Sequence, residues 1–142
     1  MAKTLTAYLE PSQVPSRQAL QEAVKNLRFR LNLDEAYVPF EWSGYLPCTL
    51  DGEDAGVDIR FADSASRLAE QPQLLQQIGN RGTAILLRGG GDPREQASAF
   101  ILGAVLAYSF GALVQLHGDD ALCAAERLLE EARAAFSQAQ ER

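Results

Sequence analysis

The longest run of residues without a charged side chain, 96–118, constrains the fold most. It follows a helix start signal, because Asp92 can accept hydrogen bonds from free amides and Pro93 suits the first helical position. Residues 97–110 are apolar nearly all round, and Gly111 is a typical helix stop. Since glycine and polar residues interrupt the run, we predict a buried central helix followed by a strand, and not a membrane span.

The rest of the chain alternates between strand and helix periodicities. Apolar residues alternate over residues 27–33, so either the first helix ends near Asn26 and a strand begins, or the helix continues. Asp51-Gly52 is typical of a tight turn between two strands. The predicted strands are 4–9, 45–50, 55–61, 83–87 and 112–116, and the predicted helices begin near Ser16, Ser64, Asp92 and Gly118. This order predicts one α+β domain over residues 1–142, with an antiparallel or mixed sheet of about four to six strands and helices packed mainly on one face.

Charge and cysteine content restrict the partners and the compartment. The 142 residues include 13 basic and 19 acidic side chains, a net charge of −6. Such a chain repels nucleic acid and anionic membrane surfaces, so a basic partner is the better expectation. Two cysteines do not form the dense framework of a small secreted domain, and the first residues lack the apolar core of an export signal. We therefore expect a cytoplasmic protein.

Few side chains suggest catalysis or metal binding. His117 is the only histidine, and Cys48 and Cys123 lie far apart without a Cys-x-x-Cys pair. Metal sites and nucleophilic centres need clusters of such groups. We expect no enzymatic activity, no metal and no cofactor, with His117 in a structural or surface role and Cys123 packed near the start of the last helix.

A glycine-rich loop between a strand and a helix supports an alternative function. Arg88 precedes three consecutive glycines, Gly89 to Gly91, and such a loop at a helix start can bind anions. The spacing is not that of a phosphate-binding Walker loop, and Asp92 places a carboxylate where a phosphate would sit. The alternative prediction is a small-molecule or phosphate-ligand-binding α+β domain, with or without enzymatic activity.

Acidic and aromatic residues concentrate in one part of the chain. Residues 31–59 contain seven acidic side chains and no Lys or Arg, together with four of the eleven aromatic residues. Aromatic anchors among charges of one sign are typical of protein-binding surfaces. The predicted partner-binding residues are Asp34, Glu35, Glu41, Trp42, Tyr45, Asp51, Glu53, Asp54 and Asp58. The alternative is that the rings pack inward and the acidic side chains only keep the protein in solution.

The same region resembles a known class of proteins. The sequence Pro-Phe-Glu-Trp-Ser-Gly-Tyr-Leu-Pro at 39–47, then Leu-Asp-Gly at 50–52 and Gly-Val-Asp at 56–58, resembles the middle of immunity proteins that accompany secreted bacterial toxins of type VI and polymorphic systems. The turn at 90–92, the alanine-rich helix and the strand that starts at Gly111 extend the resemblance over about residues 38 to 117. Where such families have an aromatic residue before the acid, this chain has Val57.

The resemblance implies a cytoplasmic protein that binds one cognate toxin domain with a basic surface and occludes its active site, without catalysis of its own. A further alternative is a homodimer whose aromatic residues form the contact between two copies. Light scattering at two concentrations would separate that alternative from the others.

Overall fold

The computed structural model describes residues 3–117 and 121–140, which form a single α+β domain. Its sheet has seven strands in the order β2-β3-β4-β5-β1-β6-β7, and each neighbouring pair is antiparallel. The strands are β1 (Lys3–Leu9), β2 (Leu31–Leu33), β3 (Gly44–Leu50), β4 (Glu53–Asp63), β5 (Thr83–Gly89), β6 (Leu113–Leu116) and β7 (Leu122–Cys123). The helices are α1 (Arg17–Asn26), α2 (Ser64–Arg67), α3 (Pro72–Ile78), α4 (Pro93–Phe110) and α5 (Ala125–Gln140), with a short 3-10 turn at Pro11–Gln13. The predicted fold class is confirmed.

Helix α4 is the centre of the core, as its sequence predicts. Its N-cap residue Asp92 accepts a hydrogen bond from the Arg94 amide at 2.8 Å, and Gly111 ends the helix with a φ of 74°. Ten consecutive residues of the helix, from Ala97 onward, are buried between the sheet and helices α1 and α5. Within residues 3–117 and 121–140, no helix combines the length and apolarity needed to cross a membrane.

The two faces of the sheet are covered unequally. Helices α1, α4 and α5 pack on the inner face, where alternate residues such as Ile85 and Leu87 of the middle strand β5 are buried. Helices α2 and α3 cover part of the outer face through a second, smaller core of Tyr8, Leu68, Leu74, Ile78 and Ala84. They do not cover β3, whose outward residues Tyr45 and Pro47 are exposed. This part of the sheet therefore has an open outer face.

The hairpin of β3 and β4 forms as predicted, and its loop has two residues. Leu50 pairs with Glu53, and the residues between them, Asp51 and Gly52, have φ values of 53° and 83°. Positive φ at both positions is the geometry that matches the twist of the flanking strands. The structure also decides the ambiguous segment after α1, because this helix ends at Asn26 and a short strand, β2, follows.

The predicted start of the last helix is wrong. The predicted start at Gly118 lies outside the described residues, but Leu122 and Cys123 form strand β7, and α5 begins only at Ala125. These two residues pair with β6, so backbone pairing overrides the helical spacing of Leu122 with the apolar residues that follow it. Together, β2 and β7 raise the number of strands to seven.

Side chains of α1 protect the free edge of β2. The buried Gln21 side chain donates to the Leu31 carbonyl and accepts from the Leu33 amide, both at 2.8 Å. Arg17 donates to the carbonyls of Leu33 and Asp34 at 3.0 Å. The Leu31 carbonyl, the Leu33 amide and the Leu33 carbonyl, which an extra strand could use, are thus already bonded.

Candidate protein-binding surface

The nine predicted partner-binding residues lie in three neighbouring places. The loop between β2 and β3, residues 34–43, carries four of them, and we call it the acidic loop. The outer face of the hairpin carries three, since outward positions alternate along β3 and β4, and the hairpin tip carries two. The members are Asp34, Glu35, Glu41 and Trp42 in the acidic loop, Tyr45, Asp54 and Asp58 on the outer face, and Asp51 and Glu53 at the tip.

The acidic loop is attached firmly at its start. The Asp34 amide donates to the Pro47 carbonyl at 3.2 Å, and the Asp34 carboxylate accepts from the Ala36 amide at 3.1 Å. Pro47 itself lies beyond the end of β2, because β2 pairs only with residues 48–50, so its missing amide proton interrupts no strand pairing. Asp34 is therefore engaged within the chain, whereas the next residue, Glu35, is exposed.

Trp42 holds the end of the acidic loop in place. Its ring is half-buried and meets the ring of Tyr37 edge to face, with 6.4 Å between centroids, and its Nε1 donates to the Gly44 carbonyl at 3.1 Å. Tyr37 is 5% exposed, and burial raises the pKa of its hydroxyl. The structure gives Trp42 a packing role, and its role as a partner-binding residue stays a prediction.

The most exposed aromatic side chain of the acidic loop is Phe40, which is not among the predicted partner-binding residues. It is 53% exposed, and its ring lies 5.3 Å from that of Phe61 on β4. The Glu41 amide donates to the Val38 carbonyl, which closes a turn with Pro39 at its second position and Phe40 at its third. The φ of Phe40 is 69°, as a type II turn requires. The available signal for Phe40 in the sequence was that a residue other than glycine follows Pro39, because a type II turn places such a residue at positive φ.

Tyr45 is 51% exposed but is tied to the sheet and to helix α4. Its ring covers Gly56 on the neighbouring strand, where a Cβ would collide with the Tyr45 hydroxyl. The hydroxyl lies 3.0 Å from the Ala55 carbonyl and 3.1 Å from Glu95 Oε2, so it can donate to either oxygen. Partial burial, followed by the hydrogen bond and the charge of Glu95, raises the pKa of Tyr45 to about 12. The ring face is thus available at the surface while the hydroxyl is engaged.

The charge segregation seen along the sequence is only partly preserved in space. Arg30 pairs with Asp51 at 3.4 Å, and Arg60 pairs with Asp58 at 3.0 Å, so basic residues flanking the acidic segment fold back onto it. Within residues 3–117 and 121–140, four exposed carboxylates of the segment form no ion pair. These unpaired carboxylates are Glu35 and Glu41 in the acidic loop, and Glu53 and Asp54 on the hairpin.

The glycine loop before α4 has packing reasons for its composition. A Cβ at Gly89 would lie 2.6 Å from the Gln96 Cα, so this position allows the close approach of α4 to β5. Gln96 Nε2 donates to the Gly90 carbonyl at 3.0 Å, and the Asp92 carboxylate occupies the helix start. With the Glu95 carboxylate also beside Gly90, the local charge opposes a phosphate. This arrangement does not favour the alternative of a phosphate-binding domain.

The two cysteines of the chain are both free, and only Cys48 is buried. Cys48 is buried, and its desolvation, followed by the charge of Asp34, raises the pKa of its thiol to about 12. The thiol is therefore protonated at neutral pH. Among residues 3–117 and 121–140, no group of three His, Cys, Asp or Glu side chains could hold a metal ion. Comparison with protein-family models, curated proteins and solved structures found no match.

Proposed function

We propose that this chain is a cytoplasmic immunity protein that binds a cognate bacterial toxin domain and occludes its active site. The observation that carries the proposal is the set of four exposed, unpaired carboxylates that lie with the Tyr45 ring along the acidic loop and the hairpin. Carboxylates in this number attract a basic surface, and an exposed ring offers apolar area to a partner. The resemblance of residues 38–117 to immunity proteins supports the same function.

The two kinds of residue contribute differently to binding. Unpaired carboxylates steer a basic partner during encounter and favour the correct orientation, although each exposed pair adds little affinity. Aromatic rings that lose water at the centre of a contact supply most of the affinity. The fixed start of the acidic loop and the tethered Tyr45 hydroxyl reduce the entropy lost on binding, because these groups are already held in one arrangement.

The toxin's activity defines the test of this proposal. Each reading frame adjacent to the one encoding this chain is expressed in a bacterial host, alone and together with this chain. We expect one frame to encode a domain that stops growth, and we expect this chain to restore growth and to copurify with that domain. Toxicity that this chain does not relieve, or the absence of a toxic neighbouring frame, would overturn the proposal.

A further inference from the structure

Phe40 combines exposure with an unfavourable backbone conformation. The third position of its turn needs positive φ, which glycine adopts freely and an aromatic L-residue adopts at a cost. The residue gains only partial burial in return, since it is 53% exposed. Folding alone therefore gives little reason for a phenylalanine at this position, and such outliers concentrate at functional sites.

The surroundings of Phe40 hold its ring in one place. On one side the ring contacts Phe61, with a 36° angle between the ring planes. The turn beneath it is closed by hydrogen bonds from the Glu41 and Trp42 amides to the Val38 carbonyl, at 3.2 and 3.0 Å. Trp42 is fixed in turn by its contact with Tyr37. An exposed ring on a rigid support loses little conformational freedom when it is buried by a partner.

Charge and apolar area together define what the turn can bind. Val38, 46% exposed, adds apolar surface beside Phe40, and the unpaired carboxylates of Glu35 and Glu41 flank the turn in the chain. We infer that Phe40, with Val38, is the central anchor of the partner interface and inserts into an apolar pocket of the toxin domain that is bordered by Lys or Arg. This inference rests on the proposed function and identifies the part of the surface that supplies most of its affinity.

Two substitutions at Phe40 separate binding from folding. Phe40→Ala removes the ring and keeps a Cβ at positive φ, whereas Phe40→Gly removes the ring and also suits the turn. We expect both variants to bind the toxin domain found by co-expression about 30-fold more weakly or worse, as for an interface anchor. Phe40→Gly should nevertheless melt about 2–4 °C above Phe40→Ala, because glycine adopts the turn without strain.

Tyr108→Ala is the matched control, since Tyr108 is also an exposed aromatic residue, 44% accessible, but belongs to α4 and not to the acidic loop. Its affinity should stay within about twofold of the wild-type value. If Phe40→Ala binds as tightly as the wild-type chain, or if both Phe40 variants lose affinity only in proportion to lost stability, the inference is overturned while the proposed function stands. If the wild-type chain neutralises no toxin, both are overturned.

Discussion

Arg28 occupies the position after α1 at which glycine is favoured, because its φ is 68°. Its amide donates to the Lys25 carbonyl at 2.9 Å, and the Phe29 amide donates to the Val24 carbonyl at 3.3 Å. This pair of hydrogen bonds is the common way in which a helix ends with a left-handed residue. The hydrogen bonds come from the backbone, so the turn does not depend on the arginine side chain.

Arg28→Gly should therefore stabilise the protein. We expect the free energy of unfolding to rise by about 0.5–1 kcal/mol, since glycine removes the strain of positive φ at a small entropic cost. Urea unfolding measures the change, and Arg28→Ala, which loses the same charge but keeps a Cβ, should show no such gain. A glycine variant less stable than the alanine variant would contradict this account of the helix end.

The raised pKa of Tyr45 predicts how the stability of the protein changes at alkaline pH. Its pKa is raised from 10.0 to about 12 in the folded chain, so the unfolded chain releases this proton first as the pH increases. The contribution to stability is complete below pH 10 and is lost between pH 10 and about 12. Tyr45→Phe should lower the free energy of unfolding at pH 7 by about 1 kcal/mol, because a hydrogen bond is lost. Above pH 10, the free energy of unfolding of this variant should fall less steeply with pH than that of the wild-type chain. Parallel wild-type and variant curves in urea unfolding from pH 7 to 11 would refute the assigned shift.

At the scale of elements, the structure follows the sequence where short-range signals decide and departs from it where pairing between distant segments decides. The hairpin was predictable because Asp51-Gly52 specifies its turn within two residues. Helix α4 was predictable because its cap, apolar run and terminal glycine lie within one segment. Strand β7 was not, because Leu122 and Cys123 gain their conformation from β6, and their spacing alone fits a helix.

The edge of β2 depends on a side chain that no local pattern distinguishes, Gln21. Gln21→Met keeps a similar side-chain length but leaves the Leu31 carbonyl and the Leu33 amide without partners. We expect a loss of about 2 kcal/mol in urea unfolding and association that grows with concentration, because the edge becomes free for pairing. Gln18→Met, an exposed position on the same helix, is the control and should change neither property. If light scattering finds Gln21→Met monomeric and urea unfolding finds it as stable as the control, the edge of β2 does not depend on Gln21 for its protection.

On the scale of the whole molecule, the candidate surface was predictable as a region of the chain but not as a set of side chains. The excess of carboxylates and aromatic rings in residues 31–59 is visible in the sequence. The sequence does not show that Arg30 and Arg60 return to neutralise two of those carboxylates, nor that Trp42 turns inward while Phe40 stays exposed. The ion pair of Arg30 and Asp51 depends on strand register, which brings together groups that are distant in the sequence. The different exposure of Trp42 and Phe40 depends on one turn, which points neighbouring side chains in different directions.

The most direct test of the account is a calorimetric titration of the toxin domain found by co-expression with two double variants of equal charge change. Glu53→Lys with Asp54→Lys reverses the unpaired carboxylates of the hairpin, and Glu126→Lys with Glu130→Lys reverses exposed carboxylates on α5. We predict that the hairpin variant binds about tenfold more weakly or worse at low salt and that the α5 variant stays within about threefold of the wild-type affinity. Equal weakening by both variants, or none by the hairpin variant, would contradict a binding surface formed by the hairpin and the acidic loop.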